Sequence, residues 1–130
     1  MARSPDPPLP TEAELELLGL LWRLGPSTVR EVHAALPPDR DVRYTTVLKV
    51  LQIMAEKGLV RRDETRRAHV YSPAANASRT QGRIVADLME RAFGGSASRL
   101  VQQALSSRPA SEEEIREIRA FLDELEGGRS

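Results

Sequence analysis

Within the stretch YTTVLKVLQIMAEKGLVRRDETRRAHVY, from Tyr44 to Tyr71, the hydrophobic period changes from that of a helix to that of a strand. Val47, Leu48, Leu51 and Met54 recur at helical spacing, and Gly58 closes the helix. Two short runs follow, at 59–62 and 68–72, joined by a polar turn from Asp63 to Arg67. The spacing predicts a β-hairpin directly behind an amphipathic helix, although the turn lacks the Asn-Gly or Gly signal of a tight hairpin. Few small folds accommodate that succession.

Upstream, two more helices are expected. Thr11 and Glu14 stand as T-x-x-E, a capping box in which each side chain satisfies the other's free backbone N–H. Leu15, Leu18, Leu21 and Trp22 then share one face, Gly25 ends the helix and Pro26 prevents its continuation. Ser27 or Thr28 caps a short second helix with Val29, Val32 and Leu36 inward, and Pro37 and Pro38 stop it. The third helix begins near Tyr44 or Thr45. Its solvated face carries Thr45, Lys49, Gln52 and Glu56, with Thr46 and Ile53 at the edge. Gly19, inside the first helix, costs about 1 kcal/mol against alanine and has no evident purpose in the sequence.

The core must be aliphatic, because the chain holds only two Phe, two Tyr and one Trp, and helices suit such a composition better than an aromatic-rich sheet. Trp22 reads as core. With 40% apolar and 29% charged residues the chain fits a soluble globular protein. The absence of cysteine excludes disulfides, zinc–thiolate sites and thiol catalysis, and fits a cytoplasmic location. Residues 1–10 read as a disordered, proline-rich tail and not as a signal peptide. No apolar run is long enough to insert in a membrane.

Formal charge is zero, so affinity for nucleic acid has to come from local clustering. From Lys57 to Arg67 there are five basic residues (Lys57, Arg61, Arg62, Arg66, Arg67) against Asp63 and Glu64. Arg40, Arg43 and Lys49 join them if the third helix and the hairpin lie together. A helix set in a major groove needs cations that reach the flanking phosphates, and a hairpin tip supplies them. Small threonines at the start of the helix permit close approach. Arginine pairs on a hairpin are also an ordinary solvated turn, and three helices with a hairpin also serve as protein-interaction modules without DNA binding.

After a small, polar junction, AANASRTQG, three amphipathic segments follow. Ile84, Val85, Leu88, Met89, Ala92 and Phe93 mark the first, broken by Gly94 and Gly95. Leu100, Val101, Ala104 and Leu105 mark the second, ended by Pro109. Ser111 and Glu114 form another capping box ahead of Ile115, Ile118, Leu122 and Leu125. A segment of this size buries too little surface to be stable alone. Ile84, Leu88, Leu100, Leu105, Ile118 and Leu122 therefore need the first domain or a second copy of the chain. The expected domains are 11–74 and 78–126.

Other chemistry finds no support. His33 and His69 lie far apart with no cysteine to join them, so neither a metal site nor a cofactor is expected. His33 reads as a solvated helix residue and His69 as outward on the second strand, where it can face phosphate. Glu112, Glu113 and Glu114 sit where a helix dipole favours acid. No serine or aspartate has the spacing of a nucleophile with its base, and no enzyme is indicated.

The segments TEAELELLGLLW, VREVHAAL, YTTVLKVLQIMAEKGLV, RAHVYSP and SEEEIREIRAFLDEL resemble the penicillinase-repressor family, the BlaI/MecI/CopY group of bacterial winged-helix repressors. The resemblance runs from Thr11 to about Leu125. It implies a mainly α protein: a winged helix-turn-helix of three helices and a β-hairpin wing, followed by a three-helix C-terminal dimerisation region. It implies a homodimer bound to double-stranded DNA at an inverted-repeat operator, commonly with TACA/TGTA half-sites. Carried over by position, Thr45, Thr46 and Lys49 face the groove, Arg43 and Tyr44 hold backbone at the helix entry, and Arg66 and Arg67 are wing contacts. A membrane sensor protease is a possible further partner, since it cuts some members at an Asn-Phe bond in the penultimate helix. This chain has Gln103-Ala104 at the corresponding place, which departs from that pattern. Copper-responsive members carry a cysteine pair that is missing here.

Overall fold

A computed structural model describes residues 6–128. The elements run α1 (Glu12–Leu24), β1 (Ser27–Thr28), α2 (Val29–Ala35), α3 (Tyr44–Lys57), β2 (Val60–Asp63), β3 (Val70–Pro73), α4 (Ala77–Phe93), α5 (Ala97–Ser107) and α6 (Glu112–Gly127). They form two compact units that divide within α4, between Val85 and Ala86.

In the first unit, α1, α2 and α3 pack with a three-stranded antiparallel sheet of order β1-β3-β2. Arg62 pairs with Tyr71 across the hairpin, and Ser27 pairs with Tyr71 on the other edge of β3. β1 is an addition to the expected hairpin. Two residues are too short for any hydrophobic period to reveal. The core joins Leu17, Leu18, Leu20 and Leu21 to Val29 and Val32, to Val47, Leu51 and Met54, and to Leu59, Val60 and Tyr71. The buried face of α1 is thus rotated from the expected one. Leu15 and Trp22 are only half-buried, while Glu14 and Leu17 are buried. Leucine on nearly every side of this helix leaves its face undetermined until partners are in place. Trp22 lies at the core's edge and its Nε1–H donates to Ala75 O at 3.0 Å.

Local chemistry sets the ends. The Thr11–Glu14 capping box is present, and Thr28 with Glu31 forms a second one at α2. Gly58, at φ 85°, ends α3. Gly58 N–H donates to Ala55 O and Leu59 N–H to Met54 O, a Schellman motif whose apolar contact joins buried Leu59 to buried Met54. The hairpin turn relies on Asp63, whose Oδ1 accepts both the backbone N–H (2.9 Å) and the hydroxyl (2.7 Å) of Thr65. Those bonds hold the Asp63 carboxyl below the usual aspartate range. An Asx turn does the work that Asn-Gly does elsewhere.

Of the tail expected at 1–10, residues 1–5 lie outside the described residues. Asp6 pairs with Arg79 at 3.3 Å, and Arg83 donates to the carbonyl of Pro7. The junction expected at 74–82 is helical from Ala77 onward. Asn76 Oδ1 accepts the Arg79 N–H at 2.8 Å and so starts α4, which tolerates Gly82 inside it.

In the second unit, Gly94 and Gly95 take positive φ and separate α4 from α5. Ser111 caps α6 by accepting the Glu114 N–H at 3.1 Å, but the reciprocal bond of the expected capping box is not formed. α5 and α6 bury no side chain. Leu88, Val101, Leu105, Phe121, Leu122 and Leu125 are between 37% and 58% exposed, while Leu100 and Ile118 are half-buried, as is Ile84 on the first-unit part of α4.

Candidate nucleic-acid interface

The core side of α3 is Val47, Leu51 and Met54, so the helical repeat turns Thr45, Lys49, Gln52 and Glu56 away from it. All four are exposed, as are Thr46 and Ile53, which share one edge of that face. Arg43 is the N-cap residue of α3, exposed and without a side-chain cap bond. Tyr44 follows, 44% exposed. Arg66 and Arg67 stand exposed in the bend between β2 and β3.

Among the described residues, Arg43, Lys49, Arg61, Arg66 and Arg67 enter no ion pair. The other cations counted from the sequence are engaged. Lys57 Nζ lies 2.7 Å from buried Glu14 and Arg40 lies 2.7 Å from Glu16, both acids on α1. Arg62 pairs with Glu64 at 2.9 Å, and the Tyr71 hydroxyl and Glu64 raise its pKa. Exposed cations on the wing and on the outward face of α3 are therefore fewer than the sequence count suggests. They are concentrated on Arg43, Lys49, Arg61, Arg66 and Arg67.

Tyr44 and Arg67 meet at one cleft of about 360 Å³, between the starts of α2 and α3 and the wing. Thr46 lies on the opposite flank of α3, beside Arg40 and Val42. A second cleft, about 630 Å³, lies between the later turns of α3 and β2 and carries Glu56 and Glu64. Arg30 and His69, which periodicity does not single out, share the first cleft. His33 is not a solvated residue. Its Nε2 lies 2.7 Å from Val42 O, a pure acceptor, so that nitrogen carries the proton. Its ring also meets Tyr44 edge-on, with centroids 6.0 Å apart and planes at 77°.

Three helices, a short sheet and a two-stranded wing beside a solvated third helix define the winged helix-turn-helix class. Residues 10–124 match the family described as penicillinase repressor. The transcriptional regulator BlaI of Mycobacterium tuberculosis, in strains CDC 1551 and H37Rv, is 36% identical over 118 residues, which are 90% of this chain and 85% of the relative. The crystal structure of the transcriptional regulator Tm0710 from Thermotoga maritima aligns over 90% of this chain and 74% of its own, with 20% identity and a TM-score of 0.46. The chain belongs to the penicillinase repressor family. It is a transcriptional repressor, a regulator and not an enzyme. Among the described residues no helix is long and apolar enough to cross a membrane.

Proposed function

We propose that this chain represses transcription as a homodimer that sets α3 into successive major grooves of an inverted-repeat operator. One observation carries the reading. The outward stripe of α3 is small and polar at its start, with Lys49 behind, and the cations beside it, Arg43, Arg66 and Arg67, form no ion pair among the described residues. Thr45, Thr46 and Lys49 address base edges and nearby phosphates. Arg43, Tyr44, Arg66 and Arg67 hold the backbone on either side.

The second unit supports the pairing. Leu88, Leu105 and Leu122 leave apolar surface in water, Leu100 and Ile118 are covered only in part, and so is Ile84 in the part of α4 that belongs to the first unit. A second copy removes that surface from solvent. Two-fold pairing also spaces two recognition helices about one DNA turn apart, roughly 34 Å.

Fluorescence anisotropy against a duplex with a TACA/TGTA inverted repeat tests the reading, beside sedimentation velocity. Lys49→Ala, and Arg66→Ala with Arg67→Ala, are expected to weaken binding and flatten its salt dependence while the protein stays dimeric. A monomeric parent chain, or variants that bind as the parent does, would overturn it. Retention of a protein partner by arginine-free variants that never bound DNA would favour an interaction module in its place.

A further inference from the structure

We propose that Arg30, Tyr44, Arg67 and His69 form a seat for one phosphodiester group of the operator backbone, on the wing side of α3. The inference rests on the repressor reading and adds two residues to it, Arg30 and His69.

Three separate segments deliver these side chains to the same cleft of about 360 Å³. Arg30 comes from the first turn of α2, Tyr44 from the first turn of α3, and Arg67 and His69 from the approach to β3. Their chemistry is that of donors. Each guanidinium offers several N–H groups and accepts nothing, the tyrosine offers an O–H, and an imidazole holds an N–H in either neutral tautomer. An anion with several acceptor oxygens satisfies such a set.

Among the described residues no carboxylate lines the cleft, whereas Glu56 and Glu64 line its neighbour along the same helix. Arg30 and Arg67 join no ion pair among the described residues. The adjacent acid, Glu31, is occupied, since its Oε1 accepts the Thr28 backbone N–H at 2.9 Å. A polyanion passing between α3 and the wing therefore meets repulsion at one cleft and none at the other.

The rest of the lining is Thr28, Val29, Leu48, Ala68 and Tyr71, apolar apart from the Thr28 and Tyr71 hydroxyls. A phosphodiester differs from free phosphate in bringing a sugar on each side, and such a floor accepts a sugar face. Tyr44 is held ready by the edge-on His33 ring, itself tied to Val42 O. The seat is set apart from the Thr45–Lys49 stripe, so it positions the duplex without reading sequence.

The full-length chain is tested against the inverted-repeat duplex and a scrambled duplex of equal length. Arg30→Gln is expected to weaken both roughly tenfold, as loss of a charged hydrogen bond does. The log–log salt slope should become shallower by ~0.9 per subunit. His69→Gln should act in the same direction, and Arg30→Lys should recover part of the loss. A methylphosphonate placed at one linkage should weaken the parent and leave Arg30→Gln no weaker than before.

Parent-like affinity and slope in Arg30→Gln would overturn the seat, as would a loss confined to the inverted repeat. So would inorganic phosphate alone shifting the His69 ring signals at concentrations where DNA does not. If Lys49→Ala still weakens the operator complex while Arg30→Gln does nothing, the repressor reading stands and the seat does not. If the parent binds neither duplex, the repressor reading itself fails.

Discussion

Lys57 Nζ lies 2.7 Å from Glu14 Oε2, joining the last turn of α3 to the first turn of α1 across 43 residues of sequence. Glu14 is 3% exposed and its other carboxylate oxygen accepts the Thr11 N–H at 2.9 Å. Burial pushes its carboxyl up, but the Lys57 ammonium and the Thr11 N–H outweigh that and hold it below the ordinary value. A carboxyl depressed in the folded state contributes stability in full above its unfolded pKa, about 4.3, and loses it as pH falls through the lower folded value. Urea unfolding at fixed protein concentration should show this acid loss in the parent and less of it in Glu14→Gln, which keeps the capping geometry. Lys57→Met leaves the buried acid without its cation and should cost about 1–3 kcal/mol at neutral pH.

The cap of α2 permits a separate measurement. Thr28 Oγ1 accepts the Glu31 N–H at 3.2 Å while Glu31 returns a bond to the Thr28 N–H. Thr28→Ala should lower stability by about 1 kcal/mol, and Thr28→Ser should restore most of it. The midpoint of urea unfolding should move without a change in slope.

A Cβ at Gly19 would meet nothing within 4 Å. The position is helical and its φ is not in the left-handed region, so the glycine answers no need inside the first unit. Gly19→Ala should stabilise the chain by about 0.5–1 kcal/mol. A loss of stability in calorimetry would show that an alanine is unwelcome there after all.

Glu64 holds Arg62 on the wing and stands beside the cleft that carries Glu56. Glu64→Gln should release that guanidinium and remove a negative charge. Operator affinity is then expected to rise and the salt slope to steepen by ~0.9 per subunit. Stability should change little, because exposed ion pairs contribute about 0–1 kcal/mol. Anisotropy titrations between 50 and 200 mM salt decide it, and an unchanged slope would show that Arg62 stays away from phosphate.

Much of the first unit was legible because local rules and tertiary demands agree there. The Val47–Met54 stripe, Gly58 and the outward Thr45 and Lys49 follow from one helical period and one left-handed glycine. The face of α1 was not legible, because leucines surround it and only packing selects Leu17 over Leu15. His33 could not be placed either, since its partner Val42 lies in a loop with no period. Arg30 carries no sequence signal, because a single arginine on a short helix has no pattern to belong to.

The sequence by itself determined where α1, α2 and α3 begin and end and which stripe of α3 faces water, because capping and periodicity act over three or four residues. Only the tertiary structure decided which cations remain available. Glu14 and Glu16 reach Lys57 and Arg40 from another helix, and charge is neutralised by distance in space, to which a count along the chain is blind.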